Sequence, residues 1–255
     1  MDIKSFIEER KKEKELLTMT HVICGYPSFE DNMKELEIMN EFGVDFVELQ
    51  FPFSEPSADG PVFVRANEES LKRGTKVADC LKFMKEVSAK FDFKVLMMGY
   101  YNTCYKMGEQ KFIDALKDAG ACGYILPDLP VEEAGNLHKI SEEAGLEPVM
   151  LMTPTNTQER LNKIGTAAKA FTYVVARKGV TGDKTSMSQD IDSLLDRCRQ
   201  ATDTPLAVGF GVQKREDLDF LTGRCDMAII GTAVLRIWEE GGEVALRKFF
   251  TEMFK

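Results

Sequence analysis

Apolar residues gather in eight short segments along the chain: Met19–Cys24, Phe46–Leu49, Val95–Met98, Gly123–Leu126, Val149–Met152, Phe171–Val175, Leu206–Val208 and Met227–Ile230. Between them apolar residues recur at threes and fours, as in Met33, Leu36, Met39, in Val77, Leu81, Met84, Val87, and in Ile191, Leu194, Leu195, Cys198. That spacing predicts helices with one apolar face. Strands alternating with such helices predict parallel pairing, because a parallel connection needs a crossover long enough to hold a helix. The strand segments are apolar at nearly every position, as expected when helices cover one face of a sheet and the other face fills an interior. A closed barrel and an open doubly wound sheet both meet that description. Polar or glycine-rich stretches follow the second, sixth, seventh and eighth segments, and a barrel gathers such loops over one mouth. The pattern therefore favours an α/β fold, a single-domain (β/α)8 TIM barrel over residues 1–255, with an extra N-terminal helix packing Ile3, Phe6 and Ile7 against one end.

A length of 255 residues suits one eight-unit barrel as well as two small domains. No proline, serine or glycine tract interrupts a chain that is 44% hydrophobic and 29% charged, so one compact domain is expected. The formal net charge of -9, with Lys and Arg scattered among acids, argues against nucleic acid as a partner. The densest charge run, Glu8 to Glu15, mixes both signs and reads as a solvated helix face. Six cysteines without C-x-x-C spacing and only two histidines predict no metal site and reduced, structural thiols. No signal peptide and no apolar run near the roughly 20 residues of a membrane span is visible, so a cytoplasmic protein that does not meet a membrane is expected.

The second segment carries Glu48 between Val47 and Leu49. A carboxylate there points either into the barrel mouth or into the helix layer, and burial without a partner costs several kcal/mol. A satisfied salt bridge near the rim is the plain explanation. Burial also raises a carboxyl pKa toward neutrality, which suits general acid/base work. Asp59 precedes Gly60-Pro61, where turn formation alone explains an aspartate. The sixth segment runs into a polar stretch with two glycines, Gly179 and Gly182, able to close over a site. The seventh gives Val208-Gly-Phe-Gly-Val212 and the eighth Ile230-Gly-Thr-Ala233, which enters a helical stretch directly. Glycines admit an anion to backbone N–H groups, a helix N-terminus adds its dipole, and phosphate sites of this barrel class follow strands seven and eight.

The stretch Glu48-Leu-Gln-Phe-Pro-Phe-Ser-Glu-Pro-Ser-Ala-Asp-Gly-Pro61 resembles the E-L-G-x-P-F-S-D-P-x-A-D-G-P block of the tryptophan synthase alpha subunit family. Six further segments resemble that family in the same order: Gly25–Pro27, Gly99–Asn102, Leu126–Glu133, Tyr173–Gly182, Val208–Gly211 and Gly231–Ala233. The resemblance implies a carbon–carbon lyase that cleaves indole-3-glycerol phosphate to indole and glyceraldehyde 3-phosphate, without a cofactor of its own. It implies Glu48 as the acid/base and Asp59 as the anion on the indole N–H. It also implies Tyr173, Thr181, Phe210, Ile125, Tyr100 and His21 as substrate-binding residues, and Gly182, Gly211, Gly231 and Thr232 as the phosphate cradle. The implied partner is a PLP-dependent beta subunit, in an alpha2beta2 heterotetramer.

The departures from the family pattern are as informative. Thr232 stands for the usual serine and keeps the hydroxyl. His21 stands for the usual aromatic wall and is expected to stack on indole as a flat ring. Gln50 replaces a glycine, Glu55 an aspartate and Ala176 a common serine; Gln50 and Glu55 are expected on the loop that docks the beta subunit. Two alternatives remain at this stage, a related barrel acting on another glycerol or sugar phosphate, and a catalytically idle subunit that activates a beta partner.

Overall fold

The computed structural model describes residues 2–176 and 187–254. Among the described residues nine strands form one parallel sheet. They are β1 (Leu17–Ile23), β2 (Phe46–Gln50), β3 (Lys94–Met98), β4 (Gly123–Ile125), β5 (Glu147–Pro148), β6 (Met150–Met152), β7 (Thr172–Val175), β8 (Leu206–Gly209) and β9 (Met227–Ile230). The order is β5-β4-β3-β2-β1-β9-β8-β7-β6. Its two ends, β5 and β6, are one run of chain broken only at Val149, whose N–H still donates to the Tyr124 carbonyl at 2.9 Å. Nine segments therefore serve as eight staves, and the sheet is a barrel. Each of the eight apolar segments contains a strand; the fifth, Val149–Met152, is preceded by the separate short strand β5, which ends at Pro148, a residue with no N–H to give to a ladder.

Side chains alternate across each strand, so every strand feeds two cores. One parity points outward: Val47 and Leu49 of β2 meet Leu36, Met39, Met84 and other helix residues. The other parity fills the barrel, where Leu17, Met19, Phe46, Leu96, Ile125, Phe171, Met227 and Ile229 form a second cluster. Followed toward the C-terminal ends of the strands, this inner parity changes character. After Leu17 and Met19 comes His21, after Phe46 come Glu48 and Gln50, after Phe171 comes Tyr173, and after Ala207 comes Gly209. The floor of the barrel is apolar and its mouth is polar, the expected division between stability and chemistry in this fold.

The N-terminal helix Ile3–Arg10 closes the floor. Asp2 caps it by accepting the Ser5 N–H at 2.7 Å. Ile3 and Ile7 join the inner cluster, and the Phe6 ring meets Phe46 edge-on at 5.3 Å. The charge run that follows is more than a solvated face. Arg10 pairs with buried Asp45 at 2.7 Å, Lys14 reaches the same carboxylate at 3.1 Å, and Lys11 pairs with Asp226. Asp45 also accepts the Thr18 N–H at 2.9 Å, so one buried carboxylate ties helix, linker and β1 together. Burial works against the charge on Asp226, and Lys11, the Leu206 N–H and Arg199 outweigh it, holding its carboxyl below the usual range.

Asp45→Ala strands two cations and a buried N–H. It is expected to cost about 3 kcal/mol, measured as the shift of the urea unfolding transition. An unchanged midpoint would show that the floor does not depend on this carboxylate.

Candidate active site

Glu48 sits in the middle of β2 with its side chain on the inner parity and 2% exposed. Directly across in register on β1 is His21, and the pairing brings His21 Nδ1 to 3.3 Å from Glu48 Oε2. The other carboxylate oxygen, Oε1, is buried and has no hydrogen-bond partner among the described residues. A buried oxygen in that state is costly, and such exceptions point to a functional demand.

From His21 the network runs through Gln50 to Asp59. His21 Nε2 lies 2.6 Å from Gln50 Oε1, and Gln50 Nε2 donates to Asp59 Oδ2 at 2.7 Å. Asp59 Oδ2 also accepts from the Tyr100 hydroxyl at 3.2 Å, and the same hydroxyl accepts the Ala58 N–H at 3.1 Å. Asn67 pins the loop from below: its Oδ1 accepts the Phe53 N–H at 2.9 Å and its Nδ2 donates to the Phe63 carbonyl at 2.8 Å. Phe53 stacks on Tyr100 at 5.1 Å. Burial pushes the Asp59 carboxyl above its ordinary value, against the opposing pull of His21, Gln50 and Tyr100. Glu48 and Asp59 therefore occupy one connected network, with two different sets of donors.

Tyr173 closes a further side. Burial pushes its hydroxyl well above the ordinary value, and the charges of Glu48 and Asp59 add to this. Its ring lies over β8, where a Cβ on Gly209 would stand 2.8 Å from a ring carbon. Only glycine leaves that slot open. Ile125 lies on the inner parity of β4 and is 1% exposed. Gly211 follows β8 with φ +82°, a backbone that favours glycine. Gly231 precedes the helix Thr232–Met253, whose first N–H groups have no acceptors within the helix. Thr181 and Gly182 lie outside the described residues.

Three expectations change. His21 is not an open wall: its ring is 5% exposed and already packs on Phe63 at 4.4 Å, with both ring nitrogens engaged. Phe210 has the outward parity of β8 and packs on Phe220 at 5.8 Å in the outer cluster, away from the barrel interior. Gln50 is not on a docking loop; it ends β2, fully buried, because its amide bridges His21 and Asp59. Glu55 does lie on the loop and is exposed, and Ala176 follows β7, its N–H donating to the Gly209 carbonyl at 3.0 Å. The roles of Asn67 and Gly209 were missed. Asn67 had a signal, a polar residue in the buried stripe Phe63, Ala66, Asn67, Ser70 of the helix Pro61–Lys72.

Comparison with known proteins fits this geometry. A family model described as tryptophan synthase alpha chain matches residues 7–252. The tryptophan synthase alpha chains of Desulfotalea psychrophila and Desulforapulum autotrophicum are each 43% identical, over 99% and 98% of this chain and 100% and 99% of theirs. Among solved structures, tryptophan synthase from Mycobacterium tuberculosis superposes with a TM-score of 0.90 at 28% identity, covering 99% of this chain and 96% of that one. The Pyrococcus furiosus chain from a structure of the mutually activating tryptophan synthase a2b2 complex superposes with a TM-score of 0.86 at 30% identity, over 94% and 97%.

Gly209→Ala is expected to cost about 1–3 kcal/mol by overpacking against the Tyr173 ring, and the cost should largely vanish in a Tyr173→Ala background. Urea unfolding of the two single variants and the double variant measures the coupling. Strict additivity would mean that the slot does not hold the ring.

Proposed function

The chain belongs to the tryptophan synthase alpha chain family, and from that premise we propose which of its residues carry the reaction. The protein is the alpha subunit, a carbon–carbon lyase that splits indole-3-glycerol phosphate into indole and glyceraldehyde 3-phosphate in tryptophan biosynthesis. The observation that carries the assignment is Glu48, buried in the barrel mouth with Oε1 free of any partner among the described residues and joined to Asp59 through His21 and Gln50. In the forward direction Glu48 gives a proton to indole C3, and positive charge develops on the ring nitrogen. The Asp59 carboxylate faces that N–H and stabilises the charge. Glu48 then takes the proton of the hydroxyl on the carbon attached to C3. The carbon–carbon bond breaks as the aldehyde forms and the bonding electrons return to the ring; the proton given stays on C3 of indole, and the hydroxyl proton replaces it on Glu48.

Ile125, Tyr100 and Tyr173 supply the apolar walls and polar edges around the ring. Gly211, Gly231 and Thr232 hold the phosphate with the N-terminus of the last helix, and Thr181 and Gly182 complete the site from outside the described residues. His21 is dropped from the ring-stacking role, since Phe63 already packs on its ring, and Phe210 from the pocket lining, since it packs with Phe220 in the outer cluster. The whole chain, residues 1–255, is read as one domain, since one sheet contains every strand among the described residues. A PLP-dependent beta subunit is its partner, in an α2β2 assembly like the one named for the Pyrococcus furiosus relative, with exposed Glu55 available to that contact. No helix among the described residues is long and apolar enough to cross a membrane, and the unpaired thiols suit the cytoplasm. A sugar-phosphate enzyme or an idle subunit would have no need of Glu48 and Asp59 in one network.

Glu48→Gln keeps the side-chain volume and removes the proton transfer. Indole release from indole-3-glycerol phosphate should fall by at least about a hundredfold with the fold intact, and turnover near that of the unmodified chain would make Glu48 structural. Gly211→Asp should weaken binding of the phosphorylated substrate far more than binding of free indole, as read by calorimetric titration of each. Equal weakening of both would remove Gly211 from the phosphate site.

A further inference from the structure

Resting on the lyase reading above, we propose that His21 is the positioning residue of Glu48 and its proton relay partner, with Gln50 locking the imidazole tautomer. Hydrogen-bond chemistry determines where the protons sit. The Gln50 amide nitrogen faces two acceptors, Asp59 Oδ2 at 2.7 Å and Asn67 Oδ1 at 3.3 Å. The amide oxygen is therefore the atom that meets His21 Nε2 at 2.6 Å. A carbonyl only accepts, so Nε2 carries a hydrogen, and Nδ1 becomes the single ring atom that gains and loses a proton. Nδ1 lies 3.3 Å from Glu48 Oε2, while Oε1 has no partner among the described residues. The two oxygens of Glu48 thus have different neighbours, His21 on one side and the substrate space on the other.

That asymmetry allows the carboxyl to pass a proton through itself. In the acid step the Oε1–H bond breaks as the proton moves to indole C3, and the Nδ1–H proton moves to Oε2. In the base step the hydroxyl proton moves to Oε1 and the Oε2 proton returns to Nδ1. Atoms and charge balance: the positive charge leaves His21, resides on the indole ring, and comes back. Asp59, joined to His21 through Gln50, serves as counter-ion in both states.

The groups around His21 support this assignment. Asp59 on the loop after β2 faces it with negative charge, and the Glu48 carboxyl on β2 meets it directly at Nδ1. Tyr173 on β7 faces both carboxyl groups, and Tyr100 after β3 faces Asp59 and, beyond it, Asp128. The helix Pro61–Lys72 presents Phe63, and before the last helix stands Gly231, where an added Cβ would lie 3.8 Å from the His21 Cβ; neither titrates. Burial works against a charged imidazole, and Glu48, with Asp59 and Gln50 behind it, outweighs burial, so His21 ends above its ordinary value. The charged form therefore persists to higher pH than in a free histidine and is lost as pH rises through the folded value. His138, pushed down by burial alone, provides an internal reference.

The test uses the full chain labelled with ring-15N histidine, in which two histidines give two assignable sets of signals. His21 Nε2 should stay protonated throughout, with Nδ1 titrating above the midpoint of His138. Titration at Nε2, or a His21 midpoint below that of His138, overturns the relay. In turnover, kcat of the unmodified chain should fall as pH rises through the His21 midpoint. His21→Phe should lower kcat at least about tenfold and lose that limb, with KM within about twofold. If His21→Phe unfolds, Gln50→Met replaces it: the ring is kept, the lock is lost, and both nitrogens should then titrate. A His21 variant with an unchanged kcat–pH profile overturns the proposal. Failure of the lyase reading looks different, since the unmodified chain would then release no indole at any pH.

Discussion

A carboxylate on the inner face of a closed barrel has no water to turn to, and the placement of Glu48 is the constraint that organises everything around it. Strand alternation puts Glu48 inside once Phe46 is inside. Parallel register then puts His21 beside it and Gln50 two residues further toward the mouth. Each later contact satisfies a group that the previous one leaves open. His21 needs an acceptor at Nε2 and Gln50 provides it; the Gln50 amide needs acceptors and Asp59 and Asn67 provide them; Asp59 takes a second donor from Tyr100. The chain of satisfaction stops at Glu48 Oε1. Leaving one oxygen open in an otherwise paired network is the feature that a proton-transferring carboxyl requires and a structural salt bridge does not.

Stability is built at the opposite end of the same strands. The floor is filled by large aliphatic and aromatic side chains and sealed by the N-terminal helix, with Asp45 and Asp226 collecting cations there. The mouth carries the buried polar groups, the glycine slots and the open oxygen. Because the two ends share strands but not side chains, the costs of the mouth are offset by packing some residues away along each strand.

The strands and the barrel were legible because burial on both faces writes an apolar run into the sequence, and Glu48 stood out because it interrupts one. The short strand β5 ahead of the fifth segment was not legible, since Glu147 and Pro148 lie outside the apolar run that begins at Val149. Parity decided the rest. Phe210 looked like a pocket residue in a glycine-rich motif, yet counting by twos from Ala207 sends it outward to Phe220. Gln50 and His21 looked like two unrelated departures from a family pattern, one beside a partner and one against a ring. They are a matched pair, joined across a parallel register that no local spacing reveals, since their positions are 29 residues apart. Asn67 and Gly209 likewise matter only through what they touch across the barrel.

The central claim is that the indole ring sits with C3 at the open oxygen of residue 48 and its N–H on Asp59. A crystal structure of the Glu48→Gln chain with uncleaved indole-3-glycerol phosphate bound tests it most directly. The account predicts C3 within contact distance of the residue 48 side chain, the ring N–H donating to Asp59, and the phosphate at the start of the last helix. A ring bound in the reverse orientation, or away from both Glu48 and Asp59, would contradict it.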